Sequence, residues 1–177
     1  MHEHGRGPIR QIAWVVDDLD ASIQRWIALH GVGPWMVFRN TAMSGQCRGV
    51  ETTVKMHVGL SYQNDVQIEL IQVISKTPSP YQDAQGRSLS GMHHIAWHSS
   101  ELDRDVADAE ARGMCSVFEA SNGAVRVAYL ESADDPGVLY EFIEAVPLVL
   151  DGFASGLLAS KHWDGHSTPV AVIDFEV

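Results

Sequence analysis

From Ile9 to Val16 the chain is apolar except at Arg10-Gln11, a short β-branched stretch with the pattern of a strand buried on both faces. The Asp17-Asp18 pair that follows can cap a helix. Leu19, Ile23, Trp26 and Ile27 then recur at helical spacing until Gly31-Val32-Gly33-Pro34 stops the run through glycine freedom and proline's missing donor. The phase returns 83 residues later: Gln11-Ile12-Ala13-Trp14 reappears as His94-Ile95-Ala96-Trp97, Leu19-Asp20 as Leu102-Asp103, and Ile23 as Val106, with Gly113 ending the second helix. After each helix the period changes to two. Val54 to Gln63, a turn at Asn64-Asp65 and Val66 to Ile74 follow the first. Ser116 to Ala120, a turn at Asn122-Gly123, Ala124 to Glu131, a turn at Asp134-Asp135-Pro136-Gly137 and Val138 to Val146 follow the second. Each half reads as βαβββ, so the expected class is α+β with two tandem modules.

The same pattern divides the chain. Residues 1–74 form the first module, 75–90 a linker with Pro78, Pro80 and Gly86 and one helical turn around Tyr81, 91–146 the second module, and 147–177 a C-terminal extension. Within the extension, Phe153, Leu157 and Leu158 predict one short amphipathic helix before Trp163-Asp164-Gly165, placed over a site or a subunit interface. Phe38 to Val50 reads as a loop that shapes a pocket.

Composition narrows the function. With 177 residues, 45% of them hydrophobic, the chain suffices for one domain or two small units around a shared core. A formal charge of −11 and a pI near 5.1, without any Lys/Arg-rich run, argue against a nucleic-acid partner. Cys47 and Cys115 lack metal or redox spacing and read as reduced thiols. No stretch reaches the roughly 18 consecutive apolar residues of a membrane span, so a soluble cytoplasmic protein is expected.

In paired βαβββ halves the first and last strands are comparable places, and each carries a side chain able to bind metal. Gln11 and Glu69 come from half one, His94 and Glu141 from half two. Both carboxylates lie inside apolar strands, Ile68-Glu69-Leu70-Ile71 and Tyr140-Glu141-Phe142-Ile143, where a lone charge would cost several kcal/mol unless paired or metal-bound. One imidazole, one amide oxygen and two carboxylates suit a single divalent Zn, Ni, Co, Mn or Fe ion, with water in the remaining positions. Strand alternation turns His93 to the face opposite His94 and leaves His98 on the His94 face, as a rim residue. His2 and His4 read as solvent-exposed tail residues.

The pieces Ile12 to Asp20, Gln67-Ile68-Glu69-Leu70-Ile71, Gly91-Met92-His93-His94-Ile95-Ala96-Trp97 and Asp135 to Glu141, in this order and spacing, resemble the vicinal-oxygen-chelate superfamily. That superfamily includes glyoxalase I, methylmalonyl-CoA epimerase, extradiol dioxygenases and bleomycin-resistance proteins, and the resemblance covers about Ile9 to Ala145. It implies paired modules curled into a cup of mixed sheet with helices outside, a metal held by Gln11, Glu69, His94 and Glu141, and a homodimer. The ligand set looks like that of some glyoxalase I enzymes. However, the asparagine that helps hold glutathione there is missing from Glu69-Leu70-Ile71-Gln72-Val73, and a single imidazole disfavours dioxygenase chemistry.

The second-module motif is most similar to methylmalonyl-CoA epimerase. The implied function is that of a metal-dependent lyase or isomerase acting on a small or medium carbonyl compound through an enolate, with Glu141 as the catalytic base. The resemblance also implies a second acid or base on the third strand of module one, where the sequence offers His57 or Glu51. A two-residue turn at Asn64-Asp65 pairs Glu69 with Leu60, however, which turns His57 away unless a bulge shifts the register. The alternative is a non-catalytic binder of planar compounds, with Trp14, Trp35, Trp97 and Tyr140 as aromatic walls.

Overall fold

Asp18 ends the first strand as its sequence predicts. Its side chain accepts from the Ala21 amide at 2.9 Å, and Gly31 closes the helix in the left-handed region at φ 64°. The computed structural model describes residues 6–176, so His2 and His4 lie outside the described residues. The elements of the first half are β1 (Gln11–Val15), α1 (Leu19–His30), β2 (Trp35–Cys47), β3 (Val50–Gln63) and β4 (Val66–Val73). The second half has β5 (Gly91–Ser99), α2 (Leu102–Glu110), β6 (Met114–Ser121), β7 (Arg126–Ser132) and β8 (Leu139–Glu144), followed by α3 (Pro147–His162) and β9 (Val170–Asp174).

Both halves are βαβββ, and they join through β1 and β5, which run antiparallel. Around the sheet the order is β3-β4-β1-β5-β8-β7-β6-β2, and β2 pairs back onto β3, so eight strands close into a barrel-like cup with α1 and α2 outside. The closing seam is β2 on β6, where Gly45 faces Ala120; a Cβ at Gly45 would stand 2.0 Å from the Glu119 carbonyl oxygen, so only glycine lets the strands meet.

Side-chain alternation sorts the core into an inside and an outside. Ala13, Val15, Met56, Val58, Ile71, Ala96, Tyr129 and Ile143 fill the interior. Leu19 and Ile23 of α1 pack on Trp35, Val37, Ile68 and Leu70, and Leu102 and Val106 of α2 pack on Ala128, Leu130 and Phe142. Trp14 belongs to the α1 cluster and Trp97 to the α2 cluster, with Tyr140 stacked on Trp97 at 6.3 Å between centroids. The four aromatic residues proposed as walls of a binding cup therefore lie on its outer face.

Three further expectations are corrected. Phe38 to Val50 is not a loop: it belongs to β2 and the turn into β3. The register slips between Phe38 and Thr41, so an extra residue changes which face the strand turns inward, and Asn40 takes φ 57° at that bulge. The extension forms a 16-residue helix rather than a short one, and a ninth strand lies parallel to Trp35–Arg39. The joint between modules makes a turn at Pro80-Tyr81, but not a helical one. It delivers that ring into the interior, 2% exposed. Among the described residues no helix is long and apolar enough to cross a membrane.

Candidate metal centre

The two module-start strands bring Gln11 and His94 side by side, and the two module-end strands, each parallel to its own first strand, add Glu69 and Glu141. Nε2 of His94 lies 3.2 Å from Gln11 Oε1, 3.2 Å from Glu69 Oε2 and 3.0 Å from Glu141 Oε2. Ligand atoms of Glu69, His94 and Glu141 all fall within 4.8 Å of one another. The His94 side chain is fully buried and Glu141 is 4% exposed, whereas Glu69 keeps 14%, so solvent approaches from the Glu69 side.

Each of these side chains is held. Gln11 Nε2 donates to Gln67 Oε1 at 2.8 Å, and Gln67 Nε2 donates to the Tyr62 hydroxyl at 2.6 Å, which fixes the Gln11 amide with its oxygen toward His94. α3 closes this end of the cup: Phe153 meets Tyr62 and His98 edge-on at 5.1 and 5.0 Å, and Gly156 lies so close to Tyr62 that a Cβ would sit 2.3 Å from its ring. His98 is thus a rim residue, with its pKa lowered by burial and by the charge of Arg10.

His93 does not face away. The β1–β5 register jumps from Ala13–His94 to Trp14–Met92, and the bulge turns His93 inward, buried, beside His94. Its Nε2 lies 2.9 Å from the Pro80 carbonyl, its Nδ1 lies 2.9 Å from Nδ1 of His94, and its ring is 4.8 Å from that of Tyr81. Burial and the neighbouring His94 charge pull its pKa down to about 3. The Tyr81 and Tyr129 hydroxyls meet at 2.9 Å, and the Tyr129 ring lies 4.8 Å from that of His94. The two consecutive histidines offered a signal at this point, because a bulge is the device that puts neighbouring side chains on one face.

His57 is not brought to the cluster. It pairs with Gln72 without any shift in the β3–β4 register and accepts at Nδ1 from the Asn40 amide at 3.0 Å, serving the bulge of β2; burial and the charge of Arg39 lower its pKa. Glu51 is exposed near the β2–β3 turn and accepts from Gln46. Neither residue reaches Glu141.

The electrostatics of the cluster favour a cation. Burial pulls the His94 pKa down, but Glu141 and Glu69 outweigh it and hold the ring at about 9. Burial pushes the Glu141 carboxyl up against the pull of His94. One imidazolium cannot satisfy two carboxylates: Glu141 Oε2 is buried and makes no well-formed hydrogen bond, its near neighbour Nε2 of His94, at 3.0 Å, being shared with Gln11 and Glu69. An oxygen in that condition costs about 1–3 kcal/mol or more. A divalent ion with two carboxylates, a neutral imidazole and an amide oxygen would balance charge and use each of these atoms, so the residues present fit such an ion.

The model of the glyoxalase/bleomycin resistance protein/dioxygenase superfamily matches residues 10–146. The chain belongs to this superfamily. No functionally curated protein matches the sequence. Among solved structures, a hypothetical protein from Bacillus halodurans C-125 superposes with a TM-score of 0.54 at 18% identity, covering 78% of this chain and 94% of that one. A methylmalonyl-CoA epimerase from Mycobacterium tuberculosis gives 0.53 at 18% identity, with 81% and 91% covered. A variant Streptomyces coelicolor epimerase in complex with 2-nitronate-propionyl-CoA gives 0.48 at 24% identity, with 78% and 97% covered. At these identities the first two likenesses are likenesses of fold. The superfamily match spans both modules and stops before α3, so α3 and β9 lie outside the region it covers.

Proposed function

We propose that this superfamily member is a divalent-metal-dependent lyase or isomerase acting on a small or medium carbonyl compound. The observation that carries the reading is the convergence of Gln11, Glu69 and Glu141 on Nε2 of His94, with one Glu141 oxygen buried and left without a well-formed hydrogen bond. These four residues would hold the ion. When bound, it supplies an electrophile for a substrate carbonyl oxygen, which acidifies the adjacent C–H.

The chain's own groups divide the remaining work. Glu141, buried with its carboxylate 3.0 Å from Nε2 of His94, is the base that accepts the proton from that carbon. Gln11, fixed through Gln67 and Tyr62, orients an uncharged oxygen at the site. Tyr129, Tyr81 and Phe118 wall the interior and keep water from the buried side. Glu69 marks the side open to solvent, from which a carbonyl compound enters.

A non-catalytic binding cup is less well supported, because Trp14, Trp35, Trp97 and Tyr140 are packed outside it. Metal analysis of protein purified without a histidine tag should find about one divalent ion per chain. Exchange of the α-proton of ketone and thioester probes for deuterium should require that ion and should disappear in Glu141→Ala. Full metal content with unchanged exchange in the variant would reject Glu141 as both ligand and base.

A further inference from the structure

We infer that His93 is a positioning residue that sets the tautomer of His94, through a relay anchored on the Pro80 carbonyl in the joint between the modules. This rests on the metal-centre reading above and adds to it a residue outside the ligand set. The chemistry follows from counting donors. A carbonyl oxygen can only accept, so Nε2 of His93, 2.9 Å from Pro80 O, carries the proton. Nδ1 of a neutral His93 is then a bare acceptor, and Nδ1 of His94, 2.9 Å away, donates to it. With its proton placed on Nδ1, a neutral His94 presents a lone pair at Nε2, the atom that faces Gln11 Oε1, Glu69 Oε2 and Glu141 Oε2.

The opposite tautomer would direct an N–H at the three oxygens and leave no donor atom for an ion. Partners of this kind, which hold the far nitrogen of a ligating histidine, are usually a carboxylate or a backbone carbonyl. Here an imidazole is inserted between the ligand and the carbonyl, and it fits because the β5 bulge turns two consecutive side chains to one face. The relay also has no route to solvent: His93 is 5% exposed and His94 is fully buried, with Tyr81 and Tyr129 stacked against them.

Three measurements test the relay. Long-range nitrogen–proton NMR of the wild-type protein should show His93 protonated at Nε2 alone and His94 protonated at Nδ1; a proton on His93 Nδ1 would overturn the relay whether or not metal binds. In Co²⁺ and Zn²⁺ titrations, His93→Phe, which keeps a ring against Tyr81 but removes the acceptor, should weaken affinity by about 10- to 100-fold. His93→Asn, which restores an acceptor near the Nδ1 position, should recover most of that loss. Affinities within twofold of wild type for the Phe variant would overturn the positioning role while leaving the metal centre intact. A wild-type protein that binds neither ion would reject the metal centre itself, and His93's role in it.

Discussion

The two modules repeat one topology but divide the work unequally. Module one has the long strands, 13 residues in β2 and 14 in β3, and a helix capped by Asp18 and Gly31. Module two has strands of 8 and 7 residues at the same places and a helix whose N-cap, Glu101, makes no side-chain cap bond. Yet module two contributes the buried imidazole and the more buried carboxylate, while module one contributes a neutral amide and the carboxylate nearer solvent. The difference teaches that symmetry of fold does not carry symmetry of charge: the longer half builds the wall, and the shorter half holds the groups whose protonation matters.

The sharpest way to break this comparison is to neutralise the two carboxylates one at a time. Glu141→Gln should lower α-proton exchange by about 10²- to 10⁴-fold even with metal saturating, the range for loss of a general base. Glu69→Gln should chiefly weaken metal binding, with exchange recovering as metal is added. Equal losses at saturation would erase the distinction between the halves.

Next come the neighbouring histidines of module two, which pull metal-free stability in opposite directions. His93 has a folded pKa of about 3, below its ordinary 6.5, so the unfolded chain takes up a proton that the folded one refuses and stability falls as pH drops from 6.5 toward 3. For His94 the carboxylates outweigh burial and hold the pKa at about 9, above 6.5, so its contribution is complete below 6.5 and is lost as pH rises through 9. Thermal melts of metal-free protein should therefore peak near pH 6.5, where the two limbs meet. The acid limb should shrink in His93→Phe, and the alkaline limb should vanish on saturation with Zn²⁺. An alkaline limb unaffected by Zn²⁺ would contradict the assignment of His94 as a ligand.

Smaller effects test the seam and the caps. Gly45→Ala should destabilise by about 1–3 kcal/mol in urea titrations, because its methyl meets backbone across the module boundary. Gly59→Ala, meeting side chains alone, the ends of Ile23 and Leu19 at 3.1 and 3.2 Å and the Trp35 ring at 3.4 Å, should cost less, and the reverse order would refute the seam as the tighter contact. Smallest is the capping difference: Asp18→Ala should cost about 1 kcal/mol and Glu101→Ala only a few tenths.

Much of this was legible in the residues because it repeats. The Ile-Ala-Trp strand and its helix phase located β1, β5, α1 and α2, and the oddity of glutamates inside apolar runs pointed to Glu69 and Glu141. The two-residue turn at Asn64-Asp65 set Leu60 opposite Glu69 and His57 on the far face, as found. What was not legible came from bulges and from tertiary context. The slip at Arg39-Asn40 breaks the alternation of β2, so Phe38 to Val50 looks like a loop, and the bulge in β5 reverses the expected direction of His93. The length of α3 was hidden by Gly152 and Gly156, poor helix formers, the second of which is accommodated by close approach to Tyr62. β9 depends on an edge of β2 that only the folded sheet provides.

Tyr81 gives the joint between the modules a polarity that its composition conceals. Ser79, Pro80 and Tyr81 are buried against the histidine pair, while Ala84 to Ser90 are exposed. An insertion or deletion between Val73 and Tyr81 would shift the ring and the carbonyl that grips His93, whereas the same change after Gln82 would be absorbed as slack in a surface loop. Length variation among relatives, or grafted tags, should therefore be tolerated in the second part of the joint and not in the first, which behaves as part of the centre rather than as a tether.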